Sequence, residues 1–357
     1  MKTYRHLYEQ VCDWDNLYLA YRRARQGKRG RPPVAAFEYD QEANLIALQR
    51  ELTEQTYRPG LYYSFYIHEP KRRLISAAPF RDRVVHHALC NIIEPILERC
   101  FIYDSYANRV GKGTHRALDR AQRYAQRYRY LLQCDVRQFF PSIDLAILCA
   151  ALARKLADDR VMWLIGQILD SGVGVLSEEY EMQWFAGDDL FAANRPRGLP
   201  IGNLTSQFWA NCYLNPFDHF VKRDLKCPAY VRYVDDFLLF ADDKRTLQQW
   251  LGAIVTKLAE LRLTIHPGAQ ARPVSEGFPF LGFVVFPTHR RLKGRKVIYF
   301  RRRLRKLVAA YRNGALSFDD LKPRSRPGST TRATATPGDC AERSLETSDC
   351  KQRDYKR

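Results

Sequence analysis

The spacing of hydrophobic residues alternates between two periods along the chain, and each period predicts a type of element. Apolar side chains at helical spacing predict long helices at 81–99, 145–170 and 244–262, and a Gly/Pro turn followed by a further helix within 198–225. Runs rich in Val, Ile, Tyr and Phe predict strands within 61–76, 131–136, 231–240, 280–286 and 297–300. We expect an α+β fold in which an antiparallel sheet is backed by helices.

The two ends of the chain differ in composition from its middle. Residues 1–60 are predicted to be helical and basic, and they contain the positive run Arg22–Arg31. Residues 301–312 predict a very basic helix. From about Lys322 the sequence is rich in Pro, Ser, Thr, Gly and charged residues, with no aromatic residue before Tyr355. That composition is typical of a disordered tail.

The net charge makes a polyanion the expected partner. The 357 residues carry a formal net charge of +19, which favours nucleic acid first and an acidic membrane surface second. The sequence has no run of about 18 apolar residues that could span a bilayer, and Met1–His6 lacks the apolar core of a signal peptide. We therefore expect a cytoplasmic protein. The nine cysteines include no Cys-x-x-Cys pair, so neither a zinc site nor a disulfide framework is predicted.

Acidic residues at predicted strand ends are the candidate catalytic groups. Asp235 and Asp236 interrupt a strand-forming run, so we expect them at or beside a hairpin tip. Adjacency alone means little, because the chain has four further Asp-Asp pairs, predicted to be solvated, at 158–159, 188–189, 242–243 and 319–320. Asp135 ends an apolar strand, where a carboxylate is costly unless it is paired or binds metal. Three acids on two strand ends suit a two-metal site, because Mg²⁺ prefers carboxylate oxygens.

Basic side chains form two further patterns. The triplet Lys71-Arg72-Arg73 lies between two predicted strands, and it fits a triphosphate cradle and a charged hairpin tip equally well. Four arginines share one face of the helix predicted after Thr114, at positions 116, 120, 123 and 127. In so basic a chain, this stripe of Arg116, Arg120, Arg123 and Arg127 favours contact with backbone phosphates over a merely solvated face.

Three motifs in order make the chain similar to the reverse transcriptases. They are Asp135-Val136-x-x-Phe139-Phe140, Leu199-Pro200-x-Gly202 and Tyr233-Val234-Asp235-Asp236, a YVDD motif. The resemblance covers about residues 60–315 and implies an RNA-directed DNA polymerase, a nucleotidyltransferase, with the right-hand polymerase fold. The implied parts are a helical basic extension (1–60), fingers (61–130), a palm (131–290, of which 198–225 return in part to the fingers), the start of a short helical thumb (291–321) and a disordered basic tail (322–357).

The resemblance also implies roles for individual residues. Asp135 and Asp235 would bind two Mg²⁺ ions, Asp236 would complete the acidic cluster, and the carbonyl of Val136 would be a further ligand. The implied nucleotide pocket consists of Lys71, Arg72, Phe140, Ile201, Gly202 and Gln207, in which Phe140 is the gate against the ribose 2′-hydroxyl. Residues 278–286 match the primer grip. The thumb helix would add Arg301, Arg302 and Arg303 to the nucleic-acid contacts of the arginine stripe.

Within the family, Gly198–Gln207 with its Ser206-Gln207 ending is most similar to reverse transcriptases of diversity-generating retroelements, on the group II intron-like branch. These bacterial or phage-encoded enzymes copy a template-repeat RNA into cDNA with errors at adenines, for targeted protein diversification. Many relatives have Gln where this chain has Ile201, and we expect the apolar side chain to weaken base discrimination. The implied partners are template RNA and its cDNA, dNTPs and a small basic ring-forming accessory protein.

Two alternative functions remain open. Another bacterial reverse transcriptase, of group II intron, retron or phage-defence type, fits the same motifs, although we expect no maturase or endonuclease extension, which counts against a mobile intron. A non-catalytic RNA-binding scaffold suits the basic surface, but the three ordered acids argue against it. The family's thumb normally continues with helical, aromatic sequence, whereas the composition here changes near residue 322. We interpret this change as a lineage difference or as a truncated or frameshifted end.

Overall fold

The computed structural model describes residues 3–28, 30–68 and 72–318 of the chain. They divide into two units. The first runs to Gly277 and includes Phe286–Thr288, and the second consists of Phe278–Val285 and the residues from His289 onward. No helix among the described residues is long and apolar enough to cross a membrane. The cysteines in these ranges are free thiols.

Five helices pack together in the N-terminal part of the first unit. They are α1 (Tyr8–Cys12), α2 (Trp14–Arg25), α3 (Pro32–Tyr39), α4 (Gln41–Thr53) and α5 (Phe80–Glu98). The side chain of Asp13 caps α2, because it accepts hydrogen bonds from the backbone N–H groups of Asp15 and Asn16. Leu48 of α4 and Leu89 of α5 are completely buried, as the helical spacing of apolar residues predicts.

A hairpin precedes α5 along the chain, and a further helix follows it. Strands β1 (Tyr63–Ile67) and β2 (Arg73–Ala77) pair antiparallel, and helix α6 (Thr114–Arg127) carries the predicted arginine stripe. The opposite face of α6 is buried through Ala117, Ala121 and Tyr124. Helix α6 therefore packs against the core on the face opposite its arginines.

A four-stranded antiparallel sheet carries the acidic strand ends. Its strands are β3 (Tyr130–Asp135), β4 (Tyr230–Tyr233), β5 (Asp236–Ala241) and β6 (Ala271–Pro273), in the order β4–β5–β3–β6. Five helices complete the unit: α7 (Phe139–Ser142), α8 (Leu145–Ala153), α9 (Asp159–Asp170), α10 (Leu204–Arg223) and α11 (Lys244–Glu260). Sheet and helices share one hydrophobic core, to which Phe217, Leu239 and Leu258 belong. The predicted α+β fold is confirmed.

The region 145–170, predicted to be helical, forms the two helices α8 and α9 with a break between them. Asp158, which was expected to be solvated, is buried at this break. Its Oδ1 accepts a hydrogen bond from the N–H of Val161 at 3.2 Å and caps α9. Its Oδ2 accepts from the N–H groups of Leu7 and Tyr8, at 2.7 and 3.1 Å. One carboxylate therefore satisfies free N–H groups at the starts of two helices.

The other acidic pairs differ from one another in exposure. Asp188 was also expected to be solvated, but it accepts a hydrogen bond from Nη2 of Arg262 at 2.6 Å. Asp242 and Asp243 are exposed, as predicted. The pair at 319–320 lies outside the described residues. An Asp-Asp pair therefore does not by itself indicate an exposed turn.

The second unit combines a small sheet with a long helix. The sheet is antiparallel and consists of β7 (Phe278–Phe280), β8 (Phe283–Val285) and β9 (Arg290–Leu292), and the helix is α12 (Gly294–Arg312). The strand predicted over 297–300 is wrong, since these residues belong to α12. Four strand-forming residues are a short run, and the helix-forming Arg, Lys, Leu and Ala residues that follow extend the helix through it. The predicted disordered tail, 322–357, lies outside the described residues.

Candidate active site

The β4–β5 hairpin holds the YVDD motif in a very tight turn. Tyr233 pairs with Asp236, so the loop between the strands consists of Val234 and Asp235 alone. Val234 has a φ of +59°, a conformation that two-residue hairpins usually give to Asn or Gly and that is unfavourable for a β-branched side chain. The turn therefore needs contacts from its surroundings to hold this shape.

The register of the sheet brings the third acid to the hairpin. Asp135, the last residue of β3, pairs directly with Asp236, and directly opposite residues of antiparallel strands project on the same face. The backbone N–H of Val136 donates to the carbonyl of Asp235 at 3.2 Å. The predicted neighbours Asp135, Asp235 and Asp236 therefore lie together at one end of the sheet.

A series of side-chain hydrogen bonds that the sequence did not predict connects Arg272 and Gln133 to Asp236. Nε2 of Gln133 donates to Oδ1 of Asp236 at 3.1 Å, and Oε1 of Gln133 accepts from Nη2 of Arg272 at 2.6 Å. Gln133 lies two residues before Asp135 on β3, so both side chains point to the same face of the sheet. This series of hydrogen bonds orients the Asp236 carboxylate from the side of β6.

Electrostatic repulsion links Asp235 to Asp135. Burial, followed by the negative charge of Asp135, raises the pKa of Asp235 from 3.8 to about 6. The positive charges of Arg73 and Arg232 act in the opposite direction and lower the pKa. Arg73 belongs to the predicted basic triplet, but the resemblance assigned nucleotide contact only to its two neighbours. The site thus concentrates negative charge that a bound cation would neutralise.

The donor set suits Mg²⁺, although the side chains do not converge as a preformed metal site. Among the described residues no three His, Cys, Asp or Glu side chains are arranged to hold a metal ion. The carboxylates of Asp135, Asp235 and Asp236 nevertheless supply the oxygen ligands that Mg²⁺ prefers. Burial and the charge of Asp135 raise the pKa of Asp235, and a divalent cation bound beside the carboxylate would act against this rise. The residue types fit the ion, and the two-ion site stays a prediction.

A cleft of about 280 Å³ opens beside two of the acids. It is lined by Gln133, Asp135, Asp236, His266, Arg272 and the loop 267–270. The backbone N–H of His266 donates to the carbonyl of Asp135 at 2.9 Å and fixes this loop to the end of β3. The cleft therefore gives solvent-sized ligands access to the carboxylates of the site.

The predicted nucleotide pocket is described in part. Lys71 lies outside the described residues. Arg72 stacks on the ring of Tyr66, with its guanidinium carbon 4.1 Å from the ring centroid. Phe140 is half-buried and packs edge-to-face on Phe139, with ring centroids 5.4 Å apart. Its carbonyl accepts a hydrogen bond from Leu199, so the segment after Asp135 is tied to the Leu-Pro-x-Gly turn.

The Leu-Pro-x-Gly turn is fastened to strand β2. The carbonyl of Ile201 accepts a hydrogen bond from the N–H of Ser76 at 2.8 Å. Gly202 has a φ of +117°, and a Cβ at this position would lie 2.9 Å from Cγ2 of Ile75, so only glycine fits. The side chain of Ile201 is half-buried, whereas Gln207 is exposed on α10.

Asn203 is a structural residue whose role the sequence did not reveal. Asn203 directly precedes α10, a position at which asparagine often caps a helix, but its side chain makes no cap hydrogen bond to α10. Instead Oδ1 accepts from the N–H of Ala78 at 3.0 Å, and Nδ2 donates to the carbonyls of Ser76 and Pro200 at 2.8 and 3.0 Å. One buried amide therefore connects the turn to the backbone of β2.

Replacing Asn203 with Ala should lower the free energy of unfolding by about 2 kcal/mol, because buried groups of Ala78 and Ser76 lose their partners. Chemical denaturation measures this change. Asn44→Ala is the matched control, since Asn44 is half-buried and donates to the carbonyl of Phe37 at 3.2 Å; its loss should be below about 1 kcal/mol. Equal losses in the two variants would contradict the assignment.

The arginine stripe of α6 does not present four equivalent side chains. Arg120 donates to the buried carboxylate of Asp104 at 2.9 Å, so it has a structural partner. Arg116, Arg123 and Arg127 are exposed. Nucleic-acid contact by this stripe stays a prediction, and the exposed members suit it better than Arg120.

The arginines predicted to belong to the thumb lie on helix α12 in the second unit. Arg301 and Arg302 are exposed, and Arg303 is half-buried. Arg301 and Arg302 are therefore accessible to a phosphate backbone. Their contact with nucleic acid stays a prediction.

Comparisons with known proteins agree with the motifs. Residues 68–285 match the family described as reverse transcriptase (RNA-dependent DNA polymerase). Protein YkfC of Escherichia coli K12 is 24% identical over an alignment of 283 residues, and the match covers 67% of this chain and 70% of YkfC. The group II intron-encoded protein LtrA of Lactococcus lactis subsp. cremoris is 25% identical over an alignment of 227 residues, and the match covers 62% of this chain and 36% of LtrA. Among solved structures, telomerase from Candida albicans aligns with a TM-score of 0.43 and 10% identity, over 68% of this chain and 48% of that chain.

Proposed function

Because the chain belongs to the reverse transcriptase family, we propose that it synthesises DNA on an RNA template at the site of Asp135, Asp235 and Asp236. The observation that carries this proposal is the pairing of Asp135 with Asp236 at the tip of the YVDD hairpin, which gathers three carboxylates at one end of a sheet. A scaffold that only bound RNA would have no need to hold a half-buried acid whose pKa is raised by burial and by the charge of a second acid.

The residues of the site divide the chemistry between them. Asp135 and Asp235, with the carbonyl of Val136 and the carboxylate of Asp236, would hold Mg²⁺, which when bound activates the primer 3′-hydroxyl and stabilises the departing pyrophosphate. The hydrogen bond from Val136 to Asp235 keeps the two strands in register at this point. Gln133 orients Asp236. The chain itself therefore supplies position and negative charge.

The remaining predicted residues would bind and select the substrates. Lys71 and Arg72 would bind the triphosphate of the incoming dNTP, and Phe140 would exclude a ribose 2′-hydroxyl by its bulk. Ile201, Gly202 and Gln207 would lie along the template and the nucleotide. The exposed arginines of α6 and α12 would contact the phosphate backbone, a contribution that weakens as salt rises.

Primer extension on an RNA template tests the polymerase proposal. The wild-type chain should extend a DNA primer with dNTPs and Mg²⁺, and the Asp235→Ala/Asp236→Ala double variant should not. Equal activity in the two proteins would refute the catalytic assignment and leave the RNA-binding scaffold. Binding of the primer–template duplex, measured separately, identifies a variant that has merely lost its substrate.

We further propose that the enzyme is of the diversity-generating type and copies its template with errors at adenines. The support is the Gly198–Gln207 sequence, with Ile201 in the turn and Ser206-Gln207 at its end. The half-buried, apolar Ile201 offers no hydrogen bond to a base. A group II intron-type enzyme is the second candidate, favoured by the similarity to LtrA. A small basic accessory protein would be the partner only in the first case.

Exchanging Ile201 for Gln should reduce misincorporation opposite template adenine by about 2- to 10-fold, the value of one hydrogen bond. Gln can donate to and accept from a template base or nucleotide, whereas Ile excludes both contacts. Single-nucleotide incorporation on templates that differ in one base measures the ratio. Ile201→Leu is the matched control and should keep the wild-type error rate. An unchanged error rate at adenine in the Gln variant would remove Ile201 from the proposal.

A further inference from the structure

We propose that Arg232, paired with Asp218, is a positioning residue that holds the turn bearing Asp235 in its active shape. This inference rests on the proposed function, in which Asp235 acts in the active site. Arg232 lies on β4, three residues before Asp235, and both Arg232 and Asp218 are completely buried. No motif of the sequence singles out either residue.

The guanidinium of Arg232 is fixed by a two-pronged ion pair with helix α10. Nε donates to Oδ1 of Asp218 at 2.7 Å, and Nη2 donates to Oδ2 at 2.6 Å. The hydroxyl of Tyr230 donates to the same Oδ1 at 2.8 Å. Such a fork is planar and directional, so it leaves the remaining nitrogen of Arg232 with a defined orientation.

That remaining nitrogen binds the catalytic turn itself. Nη1 of Arg232 donates to the carbonyl of Val234 at 2.9 Å and to Oδ1 of Asn211 at 3.1 Å. The carbonyl of Val234 belongs to the peptide bond that joins Val234 to Asp235. Because a peptide bond is planar, holding this carbonyl also sets the orientation of the Asp235 backbone.

The turn has a specific need for such a contact. Val234 adopts a φ of +59°, a backbone conformation that is unfavourable for a β-branched side chain. Two contacts hold successive carbonyls of the loop: Arg232 binds that of Val234, and the N–H of Val136 binds that of Asp235. The first contact connects the loop to α10 and the second connects it to β3.

Stability alone does not explain a buried ion pair at this place. Two apolar side chains of similar volume often replace such a pair without loss of stability. Apolar side chains cannot supply one rigid donor group that contacts Asp218 and Asn211 of α10 and also the carbonyl of Val234. We therefore assign the pair to the geometry of the turn.

The test is the double variant Arg232→Met/Asp218→Leu, which keeps the core filled and leaves no charge unpaired. It should melt cooperatively, bind the primer–template duplex like the wild type, and keep KM for dNTP within about twofold. Its kcat should fall by roughly 100-fold, the effect of a misplacement of about 1 Å. Deuterium uptake in a peptide spanning 230–240 should rise without Mg²⁺ or substrate, while a peptide within α5 stays unchanged.

Two further variants separate the possible explanations. Arg232→Lys keeps a charge for Asp218, but a single ammonium cannot reach Asp218, Asn211 and the carbonyl of Val234 together. It should therefore show the same loss of kcat, and it replaces the double variant as the test if that variant fails to fold. Tyr230→Phe removes one hydrogen bond to Asp218 and leaves every contact of Arg232, so its kcat should stay within about twofold of wild type.

The outcomes distinguish this inference from the proposed function. If Asp235→Asn is inactive while the Arg232 variants retain wild-type kcat, the positioning role is refuted and the polymerase assignment stands. If Asp235→Asn itself keeps full activity, the proposed function fails first. A loss of kcat in Tyr230→Phe equal to that in the double variant would also overturn the inference, because the contact to Val234 would then be irrelevant.

Discussion

Replacing Asp235 with Asn should lower the rate of RNA-templated nucleotide incorporation by roughly 10³-fold, which corresponds to the several kcal/mol that a correctly bound metal ion contributes. Asn has nearly the same volume as Asp, so the hairpin and its hydrogen bond from Val136 should be kept. The amide, however, carries no charge and cannot replace a carboxylate ligand of Mg²⁺. Single-turnover incorporation at saturating dNTP and Mg²⁺ measures the effect.

Asp242→Asn provides a matched control for this loss. Asp242 follows the same strand β5, six residues after Asp236, and it is exposed. It carries the same charge and flanks the same strand, so a general effect of removing one negative charge would appear in both variants. We expect the control to stay within about twofold of wild type. Incorporation by Asp235→Asn at a comparable rate would exclude Asp235 as a metal-binding residue.

The acidic site was predictable because its signals are local. The runs that flank Asp235 and Asp236 favour strands, and two aspartates between strands favour a turn, so the hairpin follows from about ten residues. Asp135 ends another apolar run and stands out for the same reason. The register that pairs Asp135 with Asp236 was not predictable from spacing alone, because it depends on two strands separated by about a hundred residues of other structure.

The contacts that support the site had no such signal. Asn203 looked like a helix cap, but its partners on β2 lie more than a hundred residues away. Arg232 and Asp218 read as ordinary charged residues of a strand and a helix, and only the packing of α10 on the sheet brings them together. Long-range pairing of buried polar groups leaves no periodic pattern in a sequence, so these residues were found only in the structure.

The strand wrongly expected at 297–300 shows the opposite case, in which a local signal was overruled. Val, Ile, Tyr and Phe favour strands through packing on a sheet, and that preference depends on context. The basic residues after them form a helix that begins at Gly294 and includes these four residues. A short run therefore took the structure of its longer neighbour.

In the absence of metal, Asp235→Asn should be more stable than the wild type above pH 6, by about 3 kcal/mol. The pKa of Asp235 is about 6 in the folded chain, against an ordinary value of 3.8. As pH rises from about 4 to above 6, the unfolded chain releases this proton first, so ionised Asp235 opposes folding and the wild type loses stability. Asn does not titrate, and the contributions of all other titrating groups to the stability are the same in the two proteins, so they cancel in the comparison.

Urea denaturation in EDTA at pH 4 and at pH 7.5 measures this difference, with Asp242→Asn as the control that should follow the wild type at both values. At pH 4 the wild type and Asp235→Asn should differ little in stability, because Asp235 is then largely protonated in the folded wild type. Mg²⁺ should reverse the order at pH 7.5, since an ion that binds only the folded state stabilises it, and the wild type has one more carboxylate to bind it. A wild type that is more stable than Asp235→Asn in EDTA at pH 7.5 would show that the carboxylate is stabilised by its surroundings. The raised pKa of Asp235, which burial and the charge of Asp135 cause, is the structural argument for a cation at this site, and it would then be refuted.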